Sequence, residues 1–148
     1  MRIAVSCDHA GLPLKATVIK TVQEAGHEAI DLGTNSTESV DIQDFAEKAG
    51  RAVQRGEADR AISICGSGVG ACISANKVKG VYASVCHDTY SAHQGVEHDN
   101  MNMLCLGARI IGVELAREIV LAFLGAQFNG LDRFVRRFGK IQKIESNG

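Results

Sequence analysis

The sequence has no apolar run approaching eighteen residues, so no segment reads as a membrane-spanning helix. It also has almost no charge excess. The 16 Lys and Arg against 17 Asp and Glu leave a formal net charge of -1, without the broad basic field that nucleic-acid binding by counterion release requires. No CxxC pair occurs among Cys7, Cys65, Cys72, Cys86 and Cys105, and this odd, unpaired set fits reduced cytosolic thiols rather than a disulfide framework. No internal repeat, low-complexity segment or linker divides the chain. The opening MRIAVSCDHAG enters a strand-like run at once, without the apolar stretch of a secretory leader, so a cytoplasmic protein with no membrane or nucleic-acid partner is expected.

What is present is globular: 45% hydrophobic and 22% charged residues over 148 positions, enough for one domain (1–148) that buries roughly two thirds of its unfolded surface. Short apolar runs at Ile3–Val5, Glu28–Leu32, Ala61–Ile64, Val81–Val85 and Met103–Leu106 predict five strands. Between the first two, Leu14, Val18, Val22 and Ala25 space an amphipathic helix, with the single proline, Pro13, near its first turn and Gly26 at its stop. Phe45 to Val53 and Val113 to Phe123 carry helical spacing, and shorter helices are expected at 71–76 and 90–96. Buried strands alternating with helices predict an α/β, doubly wound fold with a parallel sheet covered on both faces.

In such sheets ligands bind beyond the carboxyl ends of the strands. The loop after the third strand reads CGSGVG. Glycines 66, 68 and 70 allow successive N–H groups to converge as an anion nest where a helix begins, or they make only a tight strand-to-helix turn. A thiol at that helix start, Cys65, suits a base or nucleophile, whereas the other four cysteines lie in apolar runs and read as small buried hydrophobes. A phosphatase loop would need arginine six positions after its cysteine, and the chain has Ala71 after Cys65 and Pro13 after Cys7. A dinucleotide site would need GxGxxG after the first strand, and here GxGxG follows the third.

Asp8 and His9 end the first strand, as partners for hydroxyls and anions or as a turn ahead of the first helix. His87, His93 and His98 share a stretch with Asp88, Glu97 and Asp99 but lack a helical metal-ligand ladder, so no metal is expected. His98 stands among polar residues as a candidate for proton transfer. Arg133 and Arg137, four apart, would share one helix face and suit a phosphate, with Arg136 or Lys140 as substitutes, or would simply be solvated.

Taken together, CDHAG, CGSGVG followed by SANK, HDTYSA, and EHDNMN running into LCLGARIIG resemble the type B ribose-5-phosphate isomerases, which include allose-6-phosphate isomerases and galactose-6-phosphate isomerase subunits. The resemblance implies a Rossmann-like three-layer sandwich with a C-terminal helix. It also implies a homodimer or dimer of dimers with active sites across the subunit interface, and no metal or organic cofactor. The implied reaction interconverts an aldose phosphate and a ketose phosphate through a cis-enediolate. Cys65 matches the family's base, the nest of Gly66, Gly68, Val69 and Gly70 would hold the enediolate oxygen, and Ser67, where many members have threonine, would assist. His98 matches the ring-opening group, and Asp8 and His9 match sugar and phosphate contacts. Arg109 matches a substrate-binding arginine of the neighbouring subunit, and Arg133 and Arg137 match the phosphate pair.

The chain also departs from the family. Asp99, on the substrate side, stands where many members carry asparagine, VDIQDFA around Ile42 replaces a tyrosine and a proline common in the family, and Phe134 stands where a histidine often follows the arginine. The resemblance therefore implies ribose 5-phosphate as the substrate, with other sugar phosphates, a noncatalytic sensor or one half of a hetero-oligomer as rivals.

Overall fold

The computed structural model describes residues 1–148. Five strands and six helices alternate along the chain: β1 (Arg2–Cys7), α1 (Leu12–Glu24), β2 (Glu28–Asp31), α2 (Ile42–Gln54), β3 (Arg60–Cys65), α3 (Val69–Ala75), β4 (Ala83–Val85), α4 (Thr89–Asp99), β5 (Met103–Gly107), α5 (Val113–Gly125) and α6 (Asp132–Asn147). Every strand pairing is parallel and the order is β2-β1-β3-β5-β4, so all strands deliver their carboxyl ends to one edge. The chain leaves β1 toward β2 and returns past it to β3. The reversal of winding therefore lies between β1 and β3, where this architecture opens a crevice.

The period-2 pattern of each central strand divides its side chains between two cores. Ile3, Val5, Ile62, Ile64, Leu104 and Leu106 face α1, α4 and α5. Ala4, Ala61, Cys65, Met103 and Cys105 face α2 and α3. Apart from Met103 the strands present small residues on this second face, which lets its two helices lie close against the sheet. Ser6 and Ser63, neighbours in register on buried strands, satisfy each other through a hydroxyl hydrogen bond of 3.0 Å.

The five strands fall where the apolar runs place them, with two shortenings, the first being β2, which stops at Asp31, one residue before the expected run ends at Leu32. The expected strand over Val81–Val85 begins at Ala83, because the Tyr82 N–H donates to the Asn102 side chain instead of a neighbouring strand. Asn76 both donates to the Ala83 carbonyl and accepts from its N–H, which closes the outer edge of β4. α6 packs on α4 and carries the C-terminal arginines.

Candidate active site

Cys65 is the last residue of β3 and only 5% exposed. Its sulfur accepts a hydrogen bond of 3.1 Å from the Gly68 N–H, which fixes it at the mouth of the crevice. Gly68 makes this possible with φ of 81°, a left-handed backbone that glycine adopts without the Cβ penalty. The Val69 N–H donates to Ser67 Oγ at 3.2 Å. Two amides of the expected anion nest are thus engaged within the loop itself, one by the thiol and one by the serine, because the turn closes tightly enough to satisfy them locally.

β5 braces this loop. The Ala108 N–H donates to the Cys65 carbonyl at 2.8 Å and the Arg109 N–H to the Gly66 carbonyl at 3.0 Å. The Arg109 side chain then lies over Gly66, with Nη1 3.5 Å from where a Cβ would stand. Arg109 of the same chain therefore lines the cleft for which the family resemblance implies an arginine from a neighbouring copy.

Asp8, 7% exposed, follows β1 and accepts from the Gly11 N–H at 2.9 Å, so it makes the Asx-type turn while remaining on the cleft wall. His9 Nδ1 accepts from the Val40 N–H at 3.1 Å. That bond places the proton of the neutral ring on Nε2, which is left as a donor. Asp8, His9, Cys65, Ser67, Arg109 and Ile42 line one cleft of about 460 Å³, within the range of small-molecule sites. Ile42 closes one wall against Gly70.

His98, Asp99, Arg133 and Arg137 are not in this cleft. α4 runs back against the strand direction, and its 11 residues span about 16 Å, so His98 near its C-terminus sits at the opposite edge of the sheet from Cys65. There the His98 ring stacks on Phe134 with centroids 4.4 Å apart, and its Nδ1 lies 2.7 Å from Gln94 Nε2. The guanidinium carbons of Arg133 and Arg137 lie 4.6 Å and 5.7 Å from the centroid of the Phe134 ring. Arg137 rather than Arg136 shares that ring with Arg133. Asp99 lines a separate groove of about 410 Å³ with Tyr82, Ser91, Gln94 and Ile141. Within one chain, the crossover direction of α4 separates these residues from the cleft of Cys65.

The remaining histidines have other partners. His93 pairs with Glu97 at 3.0 Å, and His87 Nε2 accepts from the Gly107 N–H at 2.9 Å. Burial lowers the His87 pKa, with Asp88 opposing. Cys7, Cys86 and Cys105 are buried as expected, and burial raises Cys7 to about 11 despite the nearby Lys15 ammonium. Cys72 departs from that pattern. It is half-buried and held at about 6 chiefly by a hydrogen bond from Cys105, but its sulfur lies against the Ala83 carbonyl at 3.5 Å and away from the cleft. Of the two thiols, Cys65 and not Cys72 lines the cleft of Asp8 and His9.

Two supports escaped the sequence reading. Lys15 is buried, with Nζ 2.8 Å from the Thr34 carbonyl and 3.0 Å from Asp31, and it anchors the loop that carries Val40 to His9. Only its place beside Leu14 on the apolar face of α1 could have signalled this. Gly11 is required by close approach, since a Cβ there would lie 2.0 Å from the Ile64 carbonyl oxygen.

Residues 3–141 match the Ribose/Galactose Isomerase family. The chain is 44% identical to ribose-5-phosphate isomerase B of Escherichia coli strain K12 over 144 residues, 97% of this chain and 96% of that one. It is 41% identical over 131 residues to D-erythrulose-4-phosphate isomerase of Pectobacterium atrosepticum, covering 88% of this chain and 86% of the relative. The solved structure of Clostridium thermocellum ribose-5-phosphate isomerase B superposes with a TM-score of 0.95 at 45% identity, covering 99% of both chains.

Proposed function

The chain belongs to the Ribose/Galactose Isomerase family and is a sugar-phosphate isomerase, and from that premise we propose that it interconverts ribose 5-phosphate and ribulose 5-phosphate in the cytoplasm. The observation that carries the reading is Cys65, held by the Gly68 N–H at the switch point of the sheet, between Asp8 and His9 on one side and Arg109 on the other. In the open-chain aldose the Cys65 thiolate removes the C2 proton, leaving an enediolate across C1 and C2. The resulting thiol returns its proton to C1 while the proton of the C2 hydroxyl passes to the C1 oxygen, which gives the ketose and restores the thiolate. Amide donors of the glycine loop and Arg109 stabilise the oxyanion, and one preorganised donor of this kind is worth roughly 3 kcal/mol of barrier. Asp8 accepts from sugar hydroxyls, and His9 donates from Nε2.

His98 opens the sugar ring, and Arg133 and Arg137 hold the phosphate. Because these three lie at the far edge of the sheet from their own Cys65, they act in the cleft of a second copy, so the working unit is a homodimer or a tetramer built from such dimers. Arg133 supports the phosphate role. It sits in the first turn of α6, where no side chain caps the amides and the helix dipole favours an anion, with the Asp132 carboxylate of the same turn opposing.

NMR observation of ribose 5-phosphate turnover tests the reaction. Rapid equilibration by the native protein and its loss in a folded Cys65→Ala variant are expected, and near-native turnover by that variant removes Cys65 from its role. Mixing Cys65→Ala with His98→Ala tests the sharing of sites. Each alone is inactive, and remixed dimers regain up to about a quarter of native activity, because one hybrid site in each mixed dimer holds both native residues. A mixture that stays inactive although mixed dimers form excludes the shared site. The Pectobacterium relative supports one rival, a four-carbon substrate, and faster turnover of erythrulose 4-phosphate in a rate panel would establish it.

A further inference from the structure

Phe134 is 4% exposed and is the common neighbour of three groups that the isomerase reading places at the substrate. His98 stacks on it at 4.4 Å with planes 20° apart, and the guanidiniums of Arg133 and Arg137 lie 4.6 Å and 5.7 Å from its centroid. Neither guanidinium has a carboxylate within salt-bridge reach. Two cations side by side near the positive end of a helix repel each other, and nothing in helix chemistry draws them there. The face of an aromatic ring carries negative quadrupole density and attracts both, the more strongly where water is excluded.

We propose that Phe134 is a positioning residue whose ring gathers His98, Arg133 and Arg137 into one preorganised face, so that phosphate binding and ring opening share a single support. This rests on the isomerase reading. The helix geometry fits it: Arg133 and Arg137 are one turn apart on α6, and Phe134, one residue after the first, turns inward onto α4 between them. Long arginine side chains lose rotamer freedom when they clamp a phosphate, and a ring that already holds both removes part of that cost before substrate arrives.

The test compares Phe134→Leu, which fills the space without a ring, with Phe134→Tyr, which keeps one. With no aromatic face to hold the two guanidiniums, the leucine variant should show KM for the sugar phosphate raised about tenfold and competitive inhibition by inorganic phosphate weakened to match. Its kcat should fall less, and its secondary structure by circular dichroism should stay native. The tyrosine variant should restore both constants to within about twofold of the native protein. If the leucine variant does not fold, Phe134→Met supplies the ringless comparison. A folded ringless variant whose KM and phosphate inhibition match the native protein overturns the proposal. Arg137→Ala separates the two levels of the argument: if it too leaves KM and phosphate inhibition unchanged, the phosphate role of the arginines fails, and with it the premise.

Discussion

Replacing Gly107 with alanine puts a methyl group where the structure has no room for one. Gly107 ends β5 opposite Cys65, and a Cβ there would lie 2.7 Å from the carbonyl carbon of Ser67 and 2.8 Å from its Cα and oxygen. These are backbone atoms, so no side chain can rotate away. Reaching ordinary contact requires a displacement of about 0.7 Å. β5 is the stiffer partner, being paired on both sides and pinned at this end by His87, Cys65 and Gly66, so the glycine loop moves. That loop carries Ser67 and the N–H that holds the Cys65 sulfur. Overpacking of this kind costs about 1–3 kcal/mol, which lowers the melting temperature by roughly 3–10 °C in a chain of this size. A shift near 1 Å in a reacting constellation costs about a hundredfold in rate. Turnover of ribose 5-phosphate followed by NMR, beside a thermal melt, measures both. Gly139→Ala, on α6 where a Cβ meets nothing within 4 Å, should be stabilising by about 0.5–1 kcal/mol and leave turnover unchanged. A folded Gly107→Ala protein with kcat/KM within about threefold of native would refute the argument that this contact sets the loop.

Arg60→Met removes the donors to the Phe123 and Ala126 carbonyls, at 2.6 Å and 2.7 Å, that close the end of α5. It should cost about 2 kcal/mol in urea unfolding yet leave kcat within about twofold, since Arg60 starts β3 and Cys65 ends it. A loss of activity without loss of stability would contradict this. His87 governs an acid-side loss of stability. Its folded pKa is lowered from 6.5 mainly by burial, so the unfolded chain takes up the proton first, and stability is full above pH 6.5 and falls as pH drops below it. His87→Gln keeps an acceptor for the Gly107 N–H without titrating, so its urea midpoint should fall less between pH 7.5 and 5 than the native protein's. Parallel profiles would rule His87 out as a source of the effect.

Much of this protein was legible in consecutive residues. The runs at Ile3–Val5, Ala61–Ile64 and Met103–Leu106 announce buried strands because they are apolar on both faces, and the 3.6-residue spacing of Leu14, Val18 and Val22 announces α1. CDHAG and CGSGVG could be brought together on paper because loops after parallel strands share an edge, and the cleft formed by Asp8, His9, Cys65 and Arg109 lies at that edge. Other features depend on three dimensions. Which amides of residues 66–70 stay free turned on a turn tight enough to give one N–H to a sulfur and another to Ser67. Lys15 is buried because Asp31 at the end of β2 and Thr34 and Asn35 in the loop after it meet its ammonium, and nothing in its neighbours on α1 encodes these partners. His98 sits at the opposite edge of the sheet from Cys65, because a helix that crosses back between parallel strands ends there, and the two arginines meet it at Phe134. Periodicity is a property of adjacent residues, so the elements, and the edge where their loops converge, follow from residue order alone. Distance between chemical groups depends on strand order and on the direction of each crossover, so the separation of His98, Arg133 and Arg137 from the Cys65 cleft, and their meeting at the Phe134 ring, arise only in the folded chain.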